Sequence, residues 1–445
     1  MVLPRYKSLA FASALALSGA LFSVPAYAEN LEEAVVSALN YHPSVEAAIA
    51  NRDAYIEERS EQWADYFPTL NVRATGGRAF GDNSTSRGLQ VTRNSTYSYL
   101  WEGALTLTQP IFDGYETQHR VEAAQSRRES ANFNMVDVRE KLALSTVVSY
   151  MDVLRAREAL SRLGKHGDKI ADYQGRISKM VEEGAADETL LSQAQDIRAQ
   201  LDNTLANLEG QIRKSHAKYE ELVGRFPAEE MDRPVPRLDL IPEDVNDALE
   251  YARAHHPMLR AAYYTEAAVL EDAEAEKQFY YPDVNGELSY LKRDQAEEIG
   301  GEVIDAKAVV RLNWDISTAG GQFARVRKNL QRHNESKAQR SETERQIIRD
   351  IRIAYGELET AKDQIKVLRE RVRINEDLFK NYEAQFEGAR INLLQLLQSD
   401  NALFNARLAL VNGEFRVLAS QFAVLASMGR LQESMNVVEA SARQK

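Results

Sequence analysis

Cysteine is absent from this 445-residue sequence, which excludes disulfide bonds, thiolate metal sites, cysteine nucleophiles and a lipid-bearing cysteine. Cations are in the minority, with 55 Lys and Arg against 67 Asp and Glu and a formal net charge of −12. An acidic chain of this kind is not expected to bind nucleic acid. Stability must therefore come from packing and assembly.

A long apolar run is also missing after residue 28, where no segment approaches 18 consecutive apolar residues. The preceding segment carries Arg5 and Lys7, then a charge-free run that ends in Ala26-Tyr27-Ala28. This pattern predicts a cleavable secretory signal over residues 1–28, with a retained anchor helix as the alternative. Cleavage would remove two cations and no acid, so that the chain beginning at Glu29 carries a net charge of −14. Without a spanning helix, such a chain can cross a membrane only as a barrel.

Proline is scarce and unevenly placed, with none between Ile111 and Phe226 and none after Pro282. Four of the eleven prolines lie within residues 227–242. Because proline removes a backbone donor and restricts its neighbour, residues 225–243 are predicted to form an extended linker at the midpoint of the chain.

The two halves of the chain repeat each other across that linker. His42-Pro43 matches His256-Pro257 at a separation of 214 positions, as do the prolines that precede the first strands. Later matches share a separation of 205, namely Leu107 with Leu312, Ile111 with Ile316, Tyr150 with Tyr355 and Gly224 with Gly429. One loop difference of nine residues reconciles the two values. The predicted units are a first repeat over 29–224, a second over 244–431 and a C-terminal tail over 432–445.

Each His-Pro pair is expected to join two helices, since proline is favoured at the first position of a helix. A metal site at these histidines is the alternative, and the lack of neighbouring ligands disfavours it. No metal, cofactor or catalytic residue is predicted, because the sequence carries no Gly-x-Ser-x-Gly, His-Glu-x-x-His or phosphate-loop motif.

Alternation of apolar and polar residues predicts two strands in each repeat, over about 69–78, 95–110, 283–293 and 303–316. The aromatic residues expected to face lipid from the apolar side are Tyr97, Tyr99, Trp101, Tyr290 and Trp314. A half-buried sheet of a soluble protein is the alternative. Four strands cannot close a barrel, since the smallest membrane barrels need about 8, so the barrel must be shared between chains.

Long helices are predicted after each strand pair, over 115–224 and 320–431. Residues 322–387 contain no proline and one glycine, so a continuous helix there would reach about 100 Å. In the first repeat, glycines 164, 167 and 175 permit a break or bend. The last helix carries a seven-residue stripe typical of a coiled coil, formed by Leu396, Leu403, Leu410, Val417, Val424 and Leu431. An ordinary helical bundle is the alternative.

The combination resembles the TolC family of outer-membrane efflux and secretion channels over residues 31–431. The motifs that carry the resemblance are Tyr382-Glu383-Ala384-Gln385-Phe386, Leu393-Leu394-Gln395-Leu396-Leu397 and Leu403-Phe404-Asn405-Ala406-Arg407, with a first-repeat partner over 184–224. The resemblance implies an α+β membrane protein with a TolC-like channel-tunnel fold, in which a homotrimer forms a 12-stranded β-barrel in outer-membrane lipid and coiled-coil helices in the periplasm. It also implies a periplasmic adaptor and an inner-membrane pump as partners.

The resemblance further implies a pore gate at the periplasmic helix tips, and the residues that correspond to it are Phe386, Arg390, Gln395, Gln398 and Leu190. Two glutamines stand where the family often has aspartates. We therefore expect a neutral constriction with weak divalent-cation block. The alternative is that Gln395 and Gln398 only hydrogen-bond between tip helices.

Three functions remain open from the sequence. Type I protein secretion is favoured, because the stretch from Tyr382 to Leu397 is similar to secretion-type members of the family. Small-molecule efflux is the second. An exported coiled-coil scaffold that is not a channel is the third, and it would leave the alternating strands unexplained.

Overall fold

The computed structural model describes residues 28–81, 96–295, 302–316, 319–387 and 391–435. The predicted signal peptide, apart from its last residue, lies outside this part of the chain. The helices of the described ranges are α1 (Leu31–Tyr41), α2 (Pro43–Ala64), α3 (Glu116–Glu182), α4 (Glu188–Val223), α5 (Val245–His255), α6 (Pro257–Ala275), α7 (Gly321–Glu387), α8 (Leu393–Ser427) and α9 (Leu431–Ser434). The strands are β1 (Thr69–Gly81), β2 (Thr96–Phe112), β3 (Asp283–Gln295) and β4 (Val303–Asn313).

The order of these elements repeats once along the chain, with two short helices, two strands and two long helices in each half. The His-Pro pairs lie at the junctions between the short helices. His42 and His256 are N-caps whose Nδ1 atoms accept hydrogen bonds from the backbone amides of Ser44 and Met258, both at 3.2 Å. The imidazole thus satisfies an amide that the start of a helix would leave without a partner, and proline fills the next position.

Glycine ends the last long helix of each half in the left-handed conformation, with φ of 82° at Gly224 and 73° at Gly429. A Cβ atom at Gly224 would lie 2.6 Å from the Tyr41 ring, and one at Gly429 would lie 2.6 Å from Cδ of Pro257. Each glycine therefore allows the end of a long helix to approach the junction of the short helices in its own repeat.

The four described strands form one antiparallel sheet in the order β1-β2-β3-β4. Val72 pairs with Leu105, which in turn pairs with Tyr290, so apolar residues continue across three strands on one face. β4 ends at Asn313, which pairs with the first residue of β3, so the predicted strand end at residue 316 is wrong. The residue before β3 is Pro282, which has no amide hydrogen to extend the ladder.

Both α3 and α7 are continuous over 67 residues, about 100 Å. The break that the glycines of the first repeat permit does not occur. Leu163, Ile170 and Ile177 are buried at seven-residue spacing on α3, whereas Gly164 and Gly175 are exposed between them. Packing of the buried stripe outweighs the helix cost of glycine, about 1 kcal/mol each.

Among the described helices, α8 is long and apolar enough to cross a membrane by length and composition. Its apolar residues instead lie in three buried clusters with the other helices. One cluster contains Leu397 and Phe404, the next Phe415 and Phe422, and the third Val424. Its hydropathy is therefore explained by coiled-coil packing.

The linker and the C-terminal tail are more structured than the sequence predicts. Residues 225–243 include a short 3₁₀ helix, Leu238–Leu240, and Met231 forms a parallel bridge with Glu29. The tail begins with α9, because the buried Glu140 carboxylate accepts the backbone amides of Leu431 and Gln432, each at 3.1 Å. An anion at a helix N-terminus satisfies free amides that sequence periodicity does not reveal.

Candidate functional site at the helix tips and the sheet

The tips of the two long hairpins lie at the end of the molecule farthest along the helices from the sheet. In the first hairpin Gly184 lies within the turn that follows α3, with a φ of 69°, and Asp187 caps α4. In the second hairpin Asn392 caps α8 and forms a capping box with Gln395. The Asn392 side chain accepts the Gln395 amide at 2.9 Å, and Gln395 Oε1 accepts the Asn392 amide at 3.4 Å.

The structure brings some of the predicted gate residues together and separates others. Phe386 and Leu190 are partly buried in one apolar cluster with the start of α8. Gln395 and Gln398 are both exposed on the opposite face of α8. Arg390 lies outside the described residues. The alternative expected for the glutamines is hydrogen bonding between tip helices, whereas Gln395 bonds to the cap residue of its own helix. The gating role of all five residues stays a prediction.

The aromatic residues of the sheet lie on its apolar face. Side chains of Tyr99, Trp101 and Tyr290 are 49%, 66% and 43% exposed, and Trp314, just beyond β4, is 53% exposed. Tyr97 lies in β2, and its side chain is outside the described set. Exposed aromatic side chains on a face of Leu and Val are typical of a sheet that contacts lipid and its interfaces.

The opposite face of the sheet is charged and internally paired. Arg293 on β3 contacts Glu102 on β2 at 2.7 Å, and Arg311 on β4 contacts Glu287 on β3 at 2.7 Å. Each pair joins residues on neighbouring strands. Polar residues inside and apolar residues outside are the pattern of a membrane barrel with an aqueous lumen.

One group in the described ranges has metal-ligand spacing. Possible ligand atoms of His119, Glu122 and Glu271 lie within 4.8 Å of one another. His119 Nδ1 already pairs with Glu271 at 2.8 Å, and Glu122 accepts from Gln118 at 3.1 Å. The group is therefore accounted for by a hydrogen-bonded contact between α3 and α6.

Sequence reasoning missed the setting of Glu29. Its side chain is 5% exposed and accepts from the Tyr219 hydroxyl at 2.7 Å, the Arg225 guanidinium at 2.6 Å and the Ala228 amide at 3.1 Å. These partners lie about 190 residues away along the chain, and no local pattern could indicate them.

Comparison with known proteins places the chain in a family. The family described as Outer membrane efflux protein matches residues 34–225 and 248–430. A relative, the outer membrane efflux protein BepC of Brucella suis biovar 1 (strain 1330), is 22% identical over 400 residues, which cover 89% of this chain and 85% of BepC.

Two solved structures show the same fold. The CmeC outer membrane channel of Campylobacter jejuni gives a TM-score of 0.79 at 14% identity, covering 92% of this chain and 88% of CmeC. The outer membrane protein VceC of Vibrio cholerae gives 0.75 at 18% identity, covering 90% of this chain and 96% of VceC.

An aromatic sheet continued by helices of about 100 Å is the architecture of an outer-membrane channel subunit. The chain belongs to the Outer membrane efflux protein family, whose members are channels and not enzymes. The predicted TolC-like fold with internal duplication is confirmed, and so is the outer-membrane location with helices in the periplasm.

Proposed function

We propose that three copies of this chain form the outer-membrane duct of a tripartite export system, which receives its cargo from an inner-membrane pump through a periplasmic adaptor. The observation that carries the proposal is the pair of free sheet edges. Among the described strands, β1 pairs only with β2, and β4 only with β3. Free edges in lipid would leave amides and carbonyls without hydrogen bonds, so β4 of one chain must pair with β1 of another. Three chains then supply 12 strands, four from each.

The internal duplication specifies how these edges meet. Within one chain, β2 and β3 pair the second strand of the first repeat with the first strand of the second repeat. Pairing of β4 with β1 of the partner subunit would join the same two kinds of strand. Leu107 pairs with Leu288 in the first junction. Shifting these positions by 205 and 214 predicts that Leu312 pairs with Ala74 of the partner subunit. Both residues belong to the apolar face, so the register keeps that face continuous.

The short helices support the same arrangement. α6 packs between α3 and α7, whereas α2 packs chiefly on α3. On α2 the residues Ile49, Ile56 and Trp63 recur every seven positions and are 37%, 39% and 49% exposed. By the duplication, this face meets α7 of a neighbouring chain and so becomes buried in the trimer.

The duplication also predicts a salt bridge between chains. Arg127 on α3 lies between two acids, with Glu58 of α2 at 2.8 Å and Asp272 of α6 at 2.7 Å. The duplicate of Arg127 is Arg332 on α7. It is predicted to lie between Asp272 and Glu58 of the partner subunit.

The first cargo class we propose is protein, exported by a type I system, since the stretch from Tyr382 to Leu397 is similar to secretion-type channels. Small-molecule efflux is the second, and the name of the Brucella suis relative, an efflux protein, favours it. An exported scaffold without a pore would not need the aromatic face.

The channel is tested by inserting the purified protein into a planar lipid bilayer. Discrete conductance steps with one dominant size are expected, and extraction from membranes should require detergent. A protein that is soluble without detergent, or that gives no conductance as a trimer, would contradict the proposal. Cargo is tested separately, by deleting the gene and measuring both secretion of a large protein and sensitivity to toxic small molecules.

A further inference from the structure

A histidine and an aspartate are buried together between the two repeats. His166 of α3 and Asp400 of α8 have side chains only 5% and 6% exposed, and Nδ1 lies 3.5 Å from Oδ2. The His166 ring stacks on Phe404 with a centroid distance of 4.2 Å and an interplanar angle of 4°. Apolar residues from the hairpin cluster, among them Leu163 and Leu397, surround the pair. A charged group is expensive to bury in such a place unless it is paired.

The hydrogen bonding of this pair is incomplete in the described structure. Nε2 of His166, Oδ2 of Asp400 and Oγ of the adjacent Ser399 are all buried, and none of these three atoms has a hydrogen-bond partner. A contact of 3.5 Å is too long for a strong neutral hydrogen bond but retains Coulomb attraction between unlike charges. The attraction between α3 and α8 at this point therefore depends on whether the imidazole is positively charged.

Other charges near the pair are few and lie toward solvent. On α3, Lys169 is 59% exposed with Nζ 4.0 Å from Asp400, and Tyr173 lies within the field of Asp400 and of Glu383 on α7. On α4, Arg198 contacts the Gly167 carbonyl at 3.4 Å and also pairs with an acid on its own helix. Of these groups, only an imidazole ordinarily changes charge between pH 5 and 8.

The pair is also absent from the duplicated positions. The counterparts of His166 and Asp400 are Arg371 on α7 and Gln195 on α4, both of which are exposed. Repetition of the fold therefore does not require a buried histidine and aspartate. The pair lies only where the first repeat meets the second within one chain.

We propose that His166 and Asp400 form a proton-dependent latch that holds the second hairpin against the first, seven residues into α8 and about 10 Å from its tip. While the imidazole is protonated, the pair is neutral overall and the hairpins stay closed. Loss of one proton leaves a neutral imidazole, which can keep an N–H toward Asp400 but no longer balances the buried negative charge, and the contact between α3 and α8 loosens. The latch does not depend on the export-duct function proposed above; only an effect of the latch on transport would rest on that function.

The latch is tested by hydrogen exchange of the purified protein in detergent, corrected for the intrinsic pH dependence of exchange. Peptides spanning residues 396–404 should exchange on the order of tenfold faster at pH 8.5 than at pH 6, because an uncompensated buried charge is left behind. The double variant His166→Phe with Asp400→Leu replaces the pair by apolar groups and should show no such difference.

His333→Gln is the matched control. His333 lies 3.6 Å from Glu266 in a pair that is less buried, with side chains 21% and 15% exposed. This variant should keep the pH difference at residues 396–404. A wild-type protein without the difference, or a double variant that retains it, would overturn the latch. Because exchange does not depend on conductance, a negative result leaves the channel proposal to its own test.

Discussion

At the scale of single residues, Glu29 shows how a buried charge can tie the segment before α1 to the linker. Its carbonyl oxygen accepts the Tyr150 hydroxyl at 2.6 Å, in addition to the side-chain partners described above. Burial raises the pKa of both Tyr150 and Tyr219, so these phenols remain protonated donors at neutral pH. One residue thus holds α3, α4 and the linker together.

Glu29→Gln should therefore lower the free energy of unfolding by about 3 kcal/mol, since the charged partner Arg225 loses its acceptor and the amide cannot match all the donors. Thermal denaturation in detergent measures the change. Glu32→Gln, on the exposed face of α1, is the control and should change stability by less than about 0.5 kcal/mol. Equal effects of the two variants would show that Glu29 is not the point of attachment.

His256 predicts a pH dependence of the opposite sign to the latch. Burial lowers its pKa below the ordinary 6.5, so the unfolded chain binds a proton more readily than the folded chain as the pH falls. The stabilisation is present above pH 6.5 and is lost below it. Protonation would also remove the Nδ1 acceptor that caps α6.

His256→Asn keeps a capping acceptor without a titrating group, so exchange of the first turn of α6, corrected for its intrinsic pH dependence, should become independent of pH between 5 and 7. In the unmodified protein the corrected exchange rate should rise as the pH falls. His256→Ala should instead cost about 1 kcal/mol above pH 6.5, where the imidazole caps the helix, and less as the pH falls and the imidazole itself is protonated. Acceleration on acidification in the asparagine variant would refute the assignment.

At the scale of elements, periodicity predicted the strands and long helices well. The seven-residue stripes and alternating runs are local patterns that persist in the folded chain. Because the chain is duplicated, each pattern was found in both halves. Long-range partners were not predictable, as the Glu140 cap of α9 and the Glu29 contacts show. Whether α3 is continuous could not be predicted, because glycine content alone does not reveal that Leu163 and Ile170 lie in a packed face.

The tip of α8 carries an electrostatic prediction. Gln398 is exposed and neutral, so divalent cations at millimolar concentration should block the channel only weakly. In the proposed trimer, with Gln398 at the gate as predicted, Gln398→Asp would place one carboxylate from each subunit near the pore axis, and a ring of carboxylates binds divalent cations through oxygen ligands. The blocking concentration should fall by on the order of tenfold or more.

Single-channel recording with added magnesium measures this block. Asn405→Asp, on the same helix but farther from the tip, is the control and should have a smaller effect. Strong block of the unmodified channel, removed by changing Gln395 or Gln398 to alanine, would mean that the constriction is not neutral.

At the scale of the whole molecule, the duplication explains both the shape of the chain and its incompleteness. Two repeats give a four-stranded sheet and two hairpins, yet the sheet keeps two free edges and α2 keeps an apolar face. Both deficits are removed if copies of the chain repeat around an axis in the way that the repeats follow each other within it. Assembly is then a continuation of the internal duplication.

The register between chains tests this claim most directly, and the natural absence of cysteine makes the measurement clean. In the double variant Leu312→Cys with Ala74→Cys, oxidation should link the chains into covalent trimers, since directly paired residues have the Cα separation that a disulfide needs. Arg311→Cys with Ala74→Cys places the sulfurs on opposite faces and should remain monomeric on denaturing gels. Trimers from the first variant alone are the predicted result; crosslinking of the second, or of neither, would contradict the account.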